Sequence, residues 1–527
     1  MADTGSTGTA SRRAWLGLAV LALPTLLLAL DLSVLFLALP RISVDLSASA
    51  EQQLWIVDIY GFMIAGFLLT MGAIGDRVGR RRLLLVGAAV FAAASVAAAF
   101  APSAEWLIVA RALLGVAGAT LMPSTLALLT TMFRDPGQRA LAVAVWMSCF
   151  IAGTALGPLV GGVLLEFFWW GSVFLIGVPV MAILLVAGPV LLPEQRHPQA
   201  ARPDPPSVLL ALAAVLLAVY GGKELARTGS SLVAWLAVAA GVGLAVGFVA
   251  RQRRRDDALL DLGIFRHRAV PPALAVLVVG GVVLGGTTLA VTQFLQLVQG
   301  LSPLWAGVWL IPSTAAMIVG SLTAPVLARR IRPGFVIAGG LVIAAAGYAL
   351  LTRLDGTGAL PVLVIGWSLA MFGNGLPAGL GVDLVVGSVP PRQAGIASGT
   401  SETATELGLA TGIGLLGSVV TATYRAELAR DMPAAVPSDL HATVLDSVNT
   451  ALVTSGSFPD LLAPARDAYA SGFVTVSLLS AILSIGLAVL AAVALRHVPP
   501  YGDTPAAAIQ DPAESADVGP AGSASAG

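Results

Sequence analysis

The sequence predicts an all-α polytopic membrane protein with fourteen transmembrane helices: two six-helix bundles, two further helices at their join, and both termini in the cytoplasm. Three observations predict it. Of 527 residues, 57% are apolar and only 11% charged, with a mean hydropathy of +0.89. A soluble chain carries about 25% charged residues, so this one cannot cover a water-facing surface. Fourteen apolar runs approach or exceed the roughly 20 residues that a helix needs to cross a bilayer. Arginines gather in alternate connections, as positive charge retained in the cytoplasm does.

The runs lie at 14–40, 54–73, 83–101, 105–130, 140–165, 172–192, 207–223, 231–250, 270–295, 304–328, 335–352, 358–388, 396–423 and 468–495. The first follows Arg12 and Arg13. It exceeds the about 7–15 residues of a signal peptide's apolar region and reads as an uncleaved span. With residues 1–13 inside, cytoplasmic segments hold 21 of the 29 basic residues. They include Arg80, Arg81 and Arg82, Arg251, Arg253, Arg254 and Arg255, and Arg329, Arg330 and Arg332. Seven lie outside and one, Arg111, within a span. The region 14–192 forms one six-helix half. The region 193–269 holds polar and basic linkers around the extra pair, and 270–495 forms the second half. The outer connection 424–466 carries a stripe of Leu440, Val444, Leu445, Val448 and Leu452 behind an expected N-cap, Ser438. That pattern predicts an amphipathic helix or hairpin over the outer mouth. The tail 496–527 is rich in Pro, Ala, Gly and Ser and reads as disordered.

The inventory of reactive side chains excludes whole classes. The single cysteine, Cys149, rules out a disulfide framework. The four histidines fall in polar connections, and no spacing of metal ligands occurs. No nucleophile–base set lies in a span, so an enzyme is not expected. No connection is long enough for a signalling domain, and the zero net charge gives no sign of nucleic-acid binding.

Several motifs carry more information. After the second run stand Gly72, Gly75, Asp76, Arg77, Gly79 and Arg80, followed by two more arginines. The glycines permit close approach of a neighbouring helix, and Asp76 can meet the positive end of one. The stretch 324–334 repeats the pattern of small residues and arginines without the aspartate, as an internally repeated transporter would. Here the chain resembles the major facilitator superfamily, whose loop between spans two and three reads G-x-x-x-D-R-x-G-R-R and acts as a cytoplasmic gate. Arg111 with Gly115 and Gly118 is similar to the family's span-four motif, whose arginine is linked to proton coupling. Gly153, Gly157, Pro158, Gly161 and Gly162 resemble the antiporter motif of its exporters. The motif allows tight packing and a bend. Leu30, Asp31 and 38–40 in span one, 55–60 (WIVDIY), 169–179 (WWGSVFLIGVP) and 401–408 (SETATELG) look like the fourteen-span drug:proton antiporters that export quaternary ammonium compounds and dyes. Some of these carry an acid in span ten, and none occurs at 306–328 here. The resemblance implies a major facilitator fold, a monomer in the bacterial inner membrane, no cofactor beyond the proton gradient, and a role in antibiotic resistance. A dedicated exporter of one metabolite remains the alternative.

An ionisable residue at the bilayer centre costs roughly 2.5–3.5 kcal/mol on insertion scales, so such residues mark function. Six lie inside spans: Asp31, Asp58, Arg111, Asp383, Glu402 and Glu406. Excess carboxylate suits cations and protons. At about 1.5 Å per residue, Asp31 lies roughly 13 Å from the outer end of its span, at a depth where it can pair with Arg111. Glu402 and Glu406 share a face by i,i+4 spacing near midplane. Trp55, Tyr60, Trp146, Phe294 and Trp309 are the candidate aromatic contacts for a cation's apolar body.

Overall fold

The structure, a computed structural model, describes residues 11–133, 135–194, 204–228, 231–254, 262–354, 360–389 and 394–501. The expectations for the amino-terminal tail, for the middle of each linker around the extra pair, and for the tail beyond residue 501 fall outside these residues. All regular structure among them is helical. The chain runs through α1 (Arg12–Asp45), α2 (Ala50–Val78), α3 (Arg80–Ala99), α4 (Ala104–Met132), α5 (Pro136–Phe167), α6 (Ser172–Leu175) and α7 (Gly177–Leu191). The pair α8 (Pro205–Thr228) and α9 (Leu232–Arg253) follows. Then come α10 (Val270–Gln293), α11 (Pro303–Ala328), α12 (Pro333–Leu351), α13 (Leu360–Gly387), α14 (Ala394–Arg430), α15 (Ser438–Asp446), α16 (Val448–Thr454) and α17 (Leu462–Ala494).

Each of the fourteen apolar runs falls on helix. Among the described residues eleven helices are long and apolar enough to cross a membrane, or 13 if α2 and α5, bent by 50° and 43°, each count as one span. In α8 the apolar part is the shorter Pro206–Gly222. Proline explains the bend in α5. Pro158 has no amide hydrogen for the carbonyl of Thr154, and the helix turns at that point. Serine and aspartate side chains start several helices: Ser49, Ser103, Asp135 and Ser302 each accept an amide hydrogen of the first turn. The outer connection is helical, in two pieces. Its cap is Pro437 rather than Ser438, and the helix breaks at Ser447 into α15 and α16 because that residue is extended.

Two sets of helices pack in parallel fashion. In the first, α1 lies on α5 and α7, α2 on α4, and α3 on α4 and α7. In the second, α10 lies on α14 and α17, α11 on α13, and α12 on α13 and α17. Two seams join the sets: α5 against α11, and α2 against α14. The pair α8–α9 packs on itself and lies along the α2–α14 seam. One end of the molecule carries α15 and α16 and is called here the cap end. The other carries the Arg80 cluster and is called the arginine end.

Candidate functional site

Asp31 of α1 and Arg111 of α4 form a closed ion pair. Arg111 Nη1 donates to Asp31 Oδ2 at 2.7 Å, and Nε donates to the carbonyl of Ile56 at 3.2 Å. Arg111 is fully buried and Asp31 is 8% exposed. The guanidinium lies 4.3 Å from the centre of the Tyr60 ring and 5.9 Å from that of Phe174. Arg111 Nη2 and Tyr60 Oη are buried with no hydrogen-bond partner. Asp58 is buried on α2 two residues before Tyr60.

The α2–α14 seam brings a second group of charges near this pair. A Cβ on Gly61 would lie 3.0 Å from Ala410 Cβ and 3.9 Å from the carbonyl oxygen of Glu406. Tyr60 therefore stands in the field of Asp31 and Arg111 on its own side and of Glu406 across the seam. Glu402 and Glu406 are half-buried one turn apart on α14 and repel each other. Among the described residues no cation or hydrogen-bond donor pairs with either. Asp383, near the arginine end of α13, is exposed. The six ionisable residues thus divide into a satisfied pair (Asp31 and Arg111), an unsatisfied acid pair (Glu402 and Glu406), buried Asp58, and exposed Asp383.

The junction of α2 and α3 is held by side chains of both helices and by carbonyls beyond them. Asp76 pairs with Arg80 at 2.7 Å rather than with the end of a neighbouring helix. Arg80 also reaches the Pro123 carbonyl at 3.4 Å, and Arg81 reaches that of Leu192 at 3.0 Å. Gly79 has a φ of 118°, a backbone that side-chain-bearing residues rarely adopt, and it separates α2 from α3. Arg77 is exposed. The space beside Gly72 is open to 4 Å, and the nearest neighbours of Gly75 are the side chains of Arg80 and Leu83. The neighbouring helix α3 thus comes close at Gly75, where a Cβ would lie 3.1 Å from Arg80 Cδ and 3.3 Å from Leu83 Cδ2, whereas at Gly72 the expected close approach is not seen in this conformation.

In α5 the glycines do admit neighbours. Gly153, Gly157 and Gly161 recur every fourth residue and face α1; a Cβ on Gly157 would lie 1.7 Å from Ser33 Oγ. Pro158 and Gly162 face α11 across the other seam. The Pro158 carbonyl stands where a Cβ of Gly307 would come within 2.2 Å, and a Cβ on Gly162 would lie 2.7 Å from Leu304 Cα.

The aromatic candidates separate. Tyr60 is committed to Arg111, and Phe294 is fully buried with its ring centre 4.8 Å from that of Phe473. Trp146 is buried with an unpartnered indole N–H. Trp55 is half-buried against the apolar cluster of Phe62, Val219 and Ala410, and Trp309 is exposed.

Sequence reasoning missed two polar clusters. Asn374 Nδ2 donates to Tyr348 Oη at 2.9 Å inside the second set, where Ser480 and Ser484 of α17 are also buried. At the cap end, Gln53 of α2 donates to Ser447 at 3.1 Å and accepts from Asn449 at 3.2 Å. Asp446 accepts from the Ala50 amide at 3.3 Å and pairs with Arg425 of α14. Asn374 is not ionisable, so a charge pattern does not mark it, and the cap contacts join residues far apart in the chain.

Comparison with known proteins places this architecture. The family model described as the Major Facilitator Superfamily matches residues 21–413. The multidrug efflux pump LfrA of Mycolicibacterium smegmatis is 42% identical over 94% of this chain and 99% of its own. The methyl viologen resistance protein SmvA of Salmonella typhimurium is 33% identical over 85% of this chain and 90% of its own. The tetracenomycin C resistance and export protein of Streptomyces glaucescens is 33% identical over 77% of this chain and 76% of its own. Among solved structures, a bacterial homologue of the human lysosomal transporter Spinster superimposes with a TM-score of 0.64 at 17% identity, covering 93% of this chain and 98% of that one. The chain belongs to the Major Facilitator Superfamily and is a multi-pass membrane transporter.

Proposed function

We propose that this superfamily member is a proton-coupled efflux antiporter of fourteen spans, with both termini cytoplasmic and α15–α16 outside, and that it exports lipophilic cations from a bacterial cell. One observation carries the reading. Glu402 and Glu406 are two partly buried carboxylates without a counter-charge among the described residues, whereas Asp31 is already answered by Arg111. A site that needs positive charge is met by a cation or by protons, and the two exclude each other. Efflux and export in the names of two relatives support the direction, and methyl viologen, a dication, in the name of a third supports the substrate class.

In this reading a cation arrives from the arginine end and displaces protons from Glu406 and Glu402. The sets then rock about the α5–α11 and α2–α14 seams, the cap end opens, and reprotonation from outside releases the cation. Tyr60 couples the acid pair to Asp31–Arg111, because it touches the guanidinium and feels Glu406. One-for-one exchange of a proton for a monovalent cation moves no net charge. Two acids permit two protons per cycle, and each net charge moved through 100 mV is worth about 2.3 kcal/mol. Trp55, Trp146 and Trp309 remain the candidate contacts for the cation's apolar body.

The test is ethidium accumulation in a bacterial strain stripped of its own exporters. Expression should lower accumulation, a protonophore should restore it, and Glu406→Gln should behave like the empty vector at equal protein level. Unchanged accumulation of ethidium and quaternary ammonium compounds, with export of one neutral or anionic metabolite, would support a dedicated metabolite exporter, which the tetracenomycin relative favours.

A further inference from the structure

The extra helices enclose a cavity that the transport cycle above does not use. Packed along the α2–α14 seam, α8 and α9 leave about 360 Å³ between themselves, α2, α10 and α14. This lies within the roughly 300–1,000 Å³ of small-molecule sites. Phe62, Leu212, Phe248, Val278 and Leu407 make its walls. No ionisable residue lines it among the described residues. Four hydroxyls do, and two of them, Thr70, 4% exposed, and Thr403, have a buried oxygen with no hydrogen-bond partner. The cavity opens beside Ala245 and Phe265, both exposed.

Position separates this cavity from the acid pair. Neither Glu402 nor Glu406 lines the cavity; at about 100° per residue they lie roughly 150° and 110° around α14 from the middle of its lining there (Thr400, Thr403, Ala404 and Leu407). Toward the arginine end, Ser207 lines the cavity and accepts from Arg251 Nε at 3.1 Å, while Arg251 pairs with the buried Asp204 at 2.9 Å. From its apolar end to its polar end, the space runs from hydrocarbon walls past two unpaired hydroxyls to a charged rim.

We propose that this cavity holds one acyl chain of a phospholipid from the leaflet on the arginine side, with the ester carbonyl accepting from Thr70 and Thr403. The apolar walls take the chain, the two orphan hydroxyls take the ester, and the Asp204–Arg251 rim lies at headgroup level. A cationic substrate finds no carboxylate there. The bound chain keeps α8 and α9 docked on the seam while α2 and α14 move.

The test reads lipid contact and involves no transport. The full-length protein is placed in nanodiscs containing phosphatidylethanolamine with a diazirine on one acyl chain, irradiated, and mapped by mass spectrometry. Labels should concentrate on the lining segments of α2, α8 and α14. Ala245→Trp, at the exposed mouth, and Ala404→Phe, on the wall, should each cut that labelling at least about fivefold, as overpacking of a filled site does. Labelling at the exposed Val86 and Val342 should not change. Thr70→Val with Thr403→Val keeps the shape, removes both donors, and should lower the phospholipid retained through detergent exchange. Even labelling along the exposed belt, labelling indifferent to both filling variants, or labelling of the lining by a diazirine-bearing alkyltrimethylammonium but not by the lipid would each overturn the proposal.

Discussion

Arg111 is the most constrained side chain of the site, with one carboxylate, one carbonyl and one aromatic face around a guanidinium closed to solvent. A cation over a ring adds about 0.5–2 kcal/mol. Removing one partner of a buried ion pair costs roughly 3–5 kcal/mol, because the other charge is stranded. Asp31→Asn should therefore lower both thermal stability and folded yield, read by thermal unfolding of the purified protein. Asp31→Asn with Arg111→Gln should regain much of the stability and none of the transport. Glu402→Gln and Glu406→Gln should do the reverse, leaving stability unchanged within about 0.5 kcal/mol, since no partner is lost, while export fails. The pairing of Asp31 with Arg111 was legible in the sequence, because their depths match along their spans. That Glu402 and Glu406 lack a partner was not, since a pattern of residues does not say which side chains a fold leaves unanswered.

At the scale of elements, α5 is where motif and packing agree. Its glycines every fourth residue fit α1, and its proline and last glycine fit α11, so one short motif serves a bundle and a seam at once. Gly157→Leu should reduce folded yield sharply, because its side chain would enter Ser33 and the α1 backbone; overpacking of this kind costs about 1–3 kcal/mol or more. Gly72→Ala, facing open space, should leave yield unchanged. A loss of stability in Gly72→Ala comparable to that in Gly157→Leu would mean that this α2 glycine packs against a neighbouring helix after all. The same contrast shows where sequence reading stopped. Both stretches are glycine-rich and look alike as strings, and only the neighbours distinguish a packing glycine from one beside open space. The break of the outer helix at Ser447 was likewise hidden, because the apolar stripe continues straight through it.

At the scale of the molecule, hydropathy and arginine bias gave fourteen apolar runs with a pair at the join, and short motifs gave the resemblance to the superfamily. They did not give the seams, which arise from contacts between residues hundreds of positions apart. The cap end is closed by Gln53, Ser447, Asn449 and Asp446, so the proposed export cycle requires those contacts to part. In a Cys149→Ala background, Gln53→Cys and Asn449→Cys joined by a short reducible thiol crosslinker should abolish export, and reduction should restore it. The central claim, that cation movement is exchanged for protons at the acid pair, is tested most directly in inverted vesicles energised to acidify their lumen, with a dye reporting the pH gradient. Adding ethidium or a quaternary ammonium compound should dissipate part of the gradient with the wild-type protein and not with Glu406→Gln. A gradient indifferent to every cation, or one dissipated equally by Glu406→Gln, would contradict it.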